Sequence, residues 1–148
     1  MSLEHFQRLF KIFGEHIGIP YLMPPPQGLC SLRFDDRVTI DLEYNEEQDA
    51  VFLTSLVGVL KPQESKLLYS ELLEANVLWG GTGGATIGVD PVSLTVFLCY
   101  QEPFKEMSLE EFQQLVKRFS DTALFWNQRI ADGPKKPRKS LKKGNSQK

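Results

Sequence analysis

The sequence predicts an α+β fold, in which three helices and an antiparallel β-sheet follow the order α-β-β-β-α-β-β-α. Apolar residues recur at spacings of three and four in three segments and alternate with polar residues in five shorter ones, which are the periods of helices and strands. Short turn sequences separate neighbouring strands, and such connections make the strands antiparallel. At 148 residues with 41% hydrophobic residues, the chain is long enough for one domain with a sizeable core.

The first helix is predicted over residues 3–17, and Gly18 and Pro20 end it. Its apolar face consists of Leu3, Phe6, Leu9, Phe10, Phe13 and Ile17. The run of prolines at 24–26 then restricts the backbone to an extended connection.

Three strands are predicted next, over residues 30–34, 38–44 and 50–57, because apolar and polar side chains alternate in them. Asp35 and Asp36 lie between the first two strands and predict a tight hairpin turn. The polar segment 45–49 joins the second strand to the third. The three strands should form an antiparallel meander with one buried face.

A second helix of about 14 residues is predicted before the glycines, since apolar residues recur at helical spacing, and Pro62 is acceptable in a first helical turn. These apolar residues are Leu67, Leu68, Leu72, Ala75 and Trp79. A glycine-rich run at 80–84 ends the helix. Residues 85–89 and 94–100 then form a second hairpin, which turns at Asp90-Pro91.

The third helix has the clearest start. Ser108 and Glu111 have the spacing of a capping box, and Met107 and Phe112 have that of a hydrophobic staple. The apolar residues continue at helical spacing to Ile130, and Gly133-Pro134 ends the helix.

The charge is divided between two segments. Residues 1–132 carry a net charge of −9, and residues 133–148 carry seven basic groups and no acidic one. We therefore expect an α+β domain over 1–132 and a disordered basic tail over 133–148. No apolar run is long enough to cross a membrane, and the amino terminus lacks the pattern of a secretory signal. These features predict a cytoplasmic protein that is not inserted in a membrane.

An enzymatic site is not indicated. His5 and His16 are eleven residues apart on one helix, roughly 16 Å along its axis, so they cannot share a metal ion. Cys30 and Cys99 are predicted within strands, where buried and unreactive thiols are expected. The glycine run at 80–84 follows a helix and precedes a strand, the reverse of a phosphate-binding loop, so we assign it a backbone role. The sequence thus predicts no catalytic residue, cofactor or metal.

The order of the segments resembles the Tir chaperone (CesT) family, the class I chaperones of bacterial type III secretion. The likeness covers roughly residues 3–131 and is most specific in LLEANVLWGGTGGATIGVDPVSLTVFLCYQEP. The hairpin LRFDDR and the final helix SLEEFQQLVKRFSDTALFW also match. The proline run at 24–26 departs from the family pattern, and the basic tail lies outside it.

The resemblance implies a non-enzymatic homodimer in the bacterial cytoplasm. It would hold the amino-terminal region of secreted effector proteins in extended form, by strand addition at a sheet edge and by apolar grooves. The resemblance places Phe6, Leu9, Phe10, Phe13, Leu32, Phe34 and Ile40 near such a groove. It places Leu68, Leu72 and Trp79 at the dimer contact, and it makes the ATPase of the secretion apparatus a further candidate partner.

An alternative is a non-enzymatic regulator or adaptor of the same fold, whose basic tail contacts nucleic acid or another acidic partner. The tail contains no aromatic residue, although single-stranded nucleic acid is usually bound with stacking side chains. Nucleic acid is therefore not the expected partner. Salt-sensitive binding that is lost when residues 133–148 are deleted would favour this alternative.

Overall fold

The computed structural model describes residues 2–19 and 29–134. The helices are α1 (Ser2–His16), α2 (Ser65–Ala75) and α3 (Leu109–Asp132), with a 3₁₀ turn at Val77–Trp79. The strands are β1 (Leu29–Phe34), β2 (Val38–Asn45), β3 (Ala50–Val59), β4 (Thr86–Val89) and β5 (Thr95–Pro103). This element order confirms the predicted α+β fold.

The five strands form one sheet in the order β1-β2-β3-β5-β4, and every neighbouring pair is antiparallel. The register places Leu42 beside Leu53, and Leu53 beside Tyr100, on one face of the sheet. That face joins a single core with buried residues of all three helices, such as Phe6 and Phe112. The alternate residues of the strands point to the other face, where many side chains are exposed.

Two turns adopt the backbone that their sequences predict. Asp35 and Asp36 both have positive φ, 52° and 53°, and the Arg37 amide donates to the Phe34 carbonyl at 3.0 Å. Aspartate tolerates this left-handed region better than most residues, which confirms the tight turn. At the second hairpin, the Leu94 amide donates to the Asp90 carbonyl at 2.7 Å.

The capping box of α3 is confirmed. The Ser108 hydroxyl accepts from the Glu111 amide at 3.1 Å, and the Ser108 amide donates to the Glu111 carboxylate at 3.2 Å. Met107 and Phe112 are both buried, as a hydrophobic staple requires. At the other end, Gly133 has φ 78° and its amide donates to the Ile130 carbonyl.

The second helix is shorter than predicted. It ends at Ala75 rather than at Trp79, because Leu78 and Trp79 have φ values of 49° and 57°, which a right-handed helix cannot contain. Four strands are longer than predicted and β4 is one residue shorter; β5 runs to Pro103 because it pairs with β3 as far as Ala50. Apolar spacing alone did not reveal the break after Ala75.

The proline run at 24–26 and all of the basic tail beyond Pro134 lie outside the described residues. The predicted boundary between domain and tail therefore stays a prediction. Among the helices that the structure describes, none is both long and apolar enough to span a membrane.

Candidate functional site

The residues predicted to line a groove at α1 lie mostly beneath the surface. Six of the seven are buried in the protomer core, namely Phe6, Leu9, Phe10, Phe13, Leu32 and Ile40. The seventh, Phe34, is half-buried at the end of β1 and packs against that core. The structure thus brings these seven residues to one cluster, while their contact with a partner stays a prediction.

An aromatic network explains this burial. The Phe6 ring lies 5.7 Å from the ring of Tyr44 and 5.7 Å from that of Phe104, and Phe13 meets Phe112 edge to face at 5.4 Å. Such pairs each stabilise a core by about 0.5–1.5 kcal/mol beyond area burial. The network fixes α1 to the sheet and to α3. Phe104 lies in no predicted helix or strand, so periodicity could not identify it as a core residue.

Apolar side chains that do reach the surface flank this cluster. Ile17 and Ile19 follow α1, Leu29 opens β1, and all three are 44–51% exposed. Cys30 of β1 is half-buried and packs against the core. Because isolated exposed apolar residues are common, only Leu29, which lies on the edge strand β1, is a candidate contact by its position.

The two edge strands of the sheet differ in their free backbone groups. The outer edge of β4 is bound by Asn76, whose side-chain amide donates to the Ile87 carbonyl at 3.1 Å and accepts from the Ile87 amide at 2.9 Å. One side chain therefore occupies both outward groups of Ile87, as a neighbouring strand would. At the opposite edge, β1 pairs only with β2 among the described strands. An unpaired edge is a template for strand addition.

A second apolar surface lies between α2 and β4. Its groove has a volume of about 440 Å³ and is lined by Tyr69, Leu72, Leu73, Asn76, Ile87, Gly88, Val89 and Pro91. Leu73 is 69% exposed on its rim. Of the three residues predicted at a dimer contact, Leu68 and Leu72 are buried in the protomer, although Leu72 also lines the groove, and Trp79 is exposed.

The turn after α2 presents two large apolar side chains to solvent. Leu78 is 86% exposed and Trp79 is 56% exposed. Their left-handed backbone costs of the order of 1–3 kcal/mol per residue. The turn is held by a bond from the Gly81 amide to the Ala75 carbonyl at 2.9 Å and by one from Trp126 Nε1 to the Gly81 carbonyl at 2.8 Å. Large exposed apolar residues on a constrained turn are typical of an interface.

The described cysteines lie on β1 and β5, and the two described histidines lie on α1. Cys30 is half-buried and burial raises its pKa to about 12. Cys99 is exposed, so its expected burial was wrong, although partial desolvation also raises its pKa, and both thiols stay protonated at neutral pH. His5 Nε2 lies 2.9 Å from the Met107 carbonyl, and His16 Nδ1 lies 3.0 Å from that of Ile12. Among the described residues, no group of three or more histidine, cysteine or acidic side chains could hold a metal ion.

The sequence matches one known protein family. A model of the Tir chaperone protein (CesT) family matches residues 8–127. No curated protein matches the sequence.

Three solved structures have similar chains. One is in the crystal structure of the ExsC–ExsE complex, with 25% identity and a TM-score of 0.71 over 86% of this chain and 95% of that one. Another is in the HopA1–SchA chaperone–effector complex, with 19% identity and a TM-score of 0.66 over 89% and 97% of the two chains. The third is in the structure of the Yersinia pestis type III secretion chaperone SycH with a fragment of YscM2, with 15% identity and a TM-score of 0.60 over 82% and 98%. The second and third structures, at 19% and 15% identity, show a likeness of fold alone.

Proposed function

This chain belongs to the Tir chaperone protein (CesT) family, and we propose that it is a type III secretion chaperone that holds the amino-terminal segment of secreted effectors in extended form. The observation that carries the proposal is the family match over residues 8–127, on a fold shared with a chain of the HopA1–SchA chaperone–effector complex. Family membership also supports a non-enzymatic role in the bacterial cytoplasm. The raised cysteine pKa values agree with that role.

We place the client segment at the outer edge of β1. Asn76 already occupies the central groups of the β4 edge, whereas β1 has no second neighbour among the described strands. Strand addition uses the main-chain groups of such an edge, and the alternating client side chains then supply specificity. A client strand beside β1 would place every second side chain near Cys30 and Phe34, on the face that meets the helices.

The predicted groove residues then take two roles. Phe34, which is half-buried, would contact the client directly. The other six, which are buried, would form the rigid floor that keeps β1 and α1 in place. This division favours a client strand with apolar residues at alternate positions, because only that pattern buries its apolar side chains on one face.

The second copy of the chain would lie against α2, β4 and the turn at Leu78 and Trp79. This surface combines the apolar groove between α2 and β4 with two large exposed side chains on a constrained turn. Burying them against an identical surface removes apolar area from water and would form a twofold interface. Leu72 and Trp79 would contact the partner there, and Leu68 would support them from the core.

The acidic body fits the same role. Residues 1–132 carry a net charge of −9, which keeps a protein with exposed apolar surfaces soluble and repels nucleic acid. The proposed partners are a second copy of the chain, secreted effectors and the ATPase of the secretion apparatus.

A co-purification experiment tests the function. The affinity-tagged full chain is recovered from its native bacterium, bound proteins are identified by mass spectrometry, and limited proteolysis maps the protected segment. We expect secreted proteins that are protected within roughly their first hundred residues, since an extended chain of that length can wrap around a small dimer. Recovery of cytoplasmic enzymes or nucleic acid alone would contradict the proposal. A strict monomer in light scattering at micromolar concentration would contradict the dimer.

A further inference from the structure

We propose that the basic tail, residues 135–148, docks on its own protomer in the groove between α2 and the end of α3. This groove has a volume of about 400 Å³ and is lined by Leu67, Ser70, Glu71, Glu74, Arg129 and Pro134. It lies on the opposite side of α2 from the groove that faces β4, because Leu67, Ser70, Glu71 and Glu74 form one helical stripe and Tyr69 and Leu73 lie on another. The tail and a second copy of the chain can therefore bind α2 together.

The last described residues lead the chain toward this groove. Arg129 forms a two-pronged ion pair with Glu71 of α2, at 3.0 Å from Nε and 2.8 Å from Nη2. Its remaining nitrogen donates to the Gly133 carbonyl, so one guanidinium joins α2 to the root of the tail. The positive φ of Gly133 ends α3 there, and the next residue, Pro134, is part of the groove wall. The tail thus begins inside its proposed site.

The charges of the two parts are complementary. A Cβ added to Gly133 would lie 3.6 Å from Glu64 Oε2, so a carboxylate stands beside the point where the tail begins. Glu74 and Asp132 are also exposed there, whereas Lys66, the basic residue of α2, lies about 100° around the helix from Leu67. The first five residues of the tail carry four positive charges: Lys135, Lys136, Arg138 and Lys139.

The length of the tail matches the span. Glu64 and Glu74 are ten residues apart along the helix direction, roughly 15 Å, and about five extended residues cover that distance. Residues 135–139 can therefore run past Glu74 while the remaining nine continue beyond it. Further along, Leu141 is the one aliphatic side chain among residues 135–148 apart from Pro137, and it could cover Leu67, which is 66% exposed in the groove. Docking in this way would neutralise part of the acidic body and cover Leu67.

Zero-length carbodiimide cross-linking of the full chain tests the proposal, because it joins lysines only to carboxylates in direct contact. We expect tail lysines to be joined to Glu64, Glu74 and Asp132, and we expect the products to disappear in about 1 M salt, where exposed charges are screened. A mixture of ¹⁴N-labelled and ¹⁵N-labelled protein distinguishes docking of the tail on its own protomer from docking on another protomer. Cross-links within one isotope support docking on the same protomer, and mixed-isotope cross-links contradict it.

Two charge reversals complete the test. In Glu74→Lys, we expect the yield of cross-links to Glu64 and Asp132 to fall about threefold, since an exposed attraction becomes a repulsion. Glu46→Lys is the matched control, because Glu46 is an exposed glutamate in the turn between β2 and β3. Circular dichroism verifies that both variants fold. Tail cross-links spread over Asp35, Asp36 and Glu46 as often as over the groove, or equal effects of the two reversals, would overturn the proposal.

Discussion

Asn76 is the residue whose removal tests the sheet-edge argument most simply. In Asn76→Ala, both outward groups of Ile87 lose their partner, which had bound them at 2.9 Å and 3.1 Å in a partly buried position. A typical intramolecular hydrogen bond contributes about 1 kcal/mol net, and a buried group left unsatisfied costs more. We therefore expect the free energy of unfolding to fall by about 2–3 kcal/mol. For a domain of this size the melting temperature would fall by about 5–10 °C.

The assay is thermal and urea unfolding at one fixed protein concentration, because association with a second copy shifts apparent stability. Gln101→Ala is the control, since the side-chain nitrogen of Gln101 donates an exposed hydrogen bond to the side-chain oxygen of Gln48 at 3.2 Å. That variant should change the free energy of unfolding by less than about 0.5 kcal/mol. A loss in Asn76→Ala no larger than in the control would refute the role of Asn76 at the β4 edge.

Asn76→Asp separates the two bonds. The introduced carboxylate still accepts from the Ile87 amide but faces the Ile87 carbonyl without a donor. Its charged form is therefore disfavoured in the folded state, and its folded pKa is raised above the unfolded value of about 3.9. The stability deficit relative to the parent chain should shrink as the pH falls through that raised pKa, because the protonated carboxyl can donate. A deficit that does not change with pH would contradict the donor role.

Four further predictions concern other parts of the chain. Leu78→Asn should raise the dimer dissociation constant about tenfold in analytical ultracentrifugation, since asparagine accepts the left-handed backbone but removes an apolar contact. Phe125→Gln, at an exposed apolar site on α3, should leave the dimer dissociation constant unchanged. Equal effects of the two substitutions would contradict the proposed interface. Ser108→Ala should lower the free energy of unfolding by about 1 kcal/mol in thermal denaturation, because the capping box of α3 is lost, and an unchanged melting temperature would contradict this. Iodoacetamide at pH 8 should modify the exposed Cys99 and spare Cys30, because burial raises the pKa of Cys30 to about 12, and equal labelling by mass spectrometry would contradict this. The Cys30 contribution to stability should be complete below pH 9 and be lost as the pH rises toward 12.

The elements could be predicted from the sequence because local patterns determine them. The capping box at Ser108 and the turn at Asp35 and Asp36 are local hydrogen-bonding and backbone preferences, and the structure contains both. The same holds for the strand order of the β1-β2-β3 meander, since short turns leave little choice of neighbour.

The surfaces could not be predicted in the same way, because exposure depends on contacts between distant segments. The periodicity of α1 identifies Phe6 and Phe10 as apolar but cannot distinguish a groove from a core. Both are fully buried: Phe6 packs against Tyr44 and Phe104, and Phe10 packs against Phe6. The pairing of Asn76 with Ile87 joins a helix end to a strand eleven residues later. In the sequence, this pairing is indicated only by an asparagine directly after the last residue of α2, which does not identify its partner.

The hydrogen exchange of β1 tests the central claim most directly. The chain is measured alone and in complex with the effector segment that co-purification identifies. Strand addition at β1 predicts that outward amides of β1 become protected in the complex, while the Ile87 amide, already bound to Asn76, does not change. Protection at β4 with no change at β1 would contradict the account.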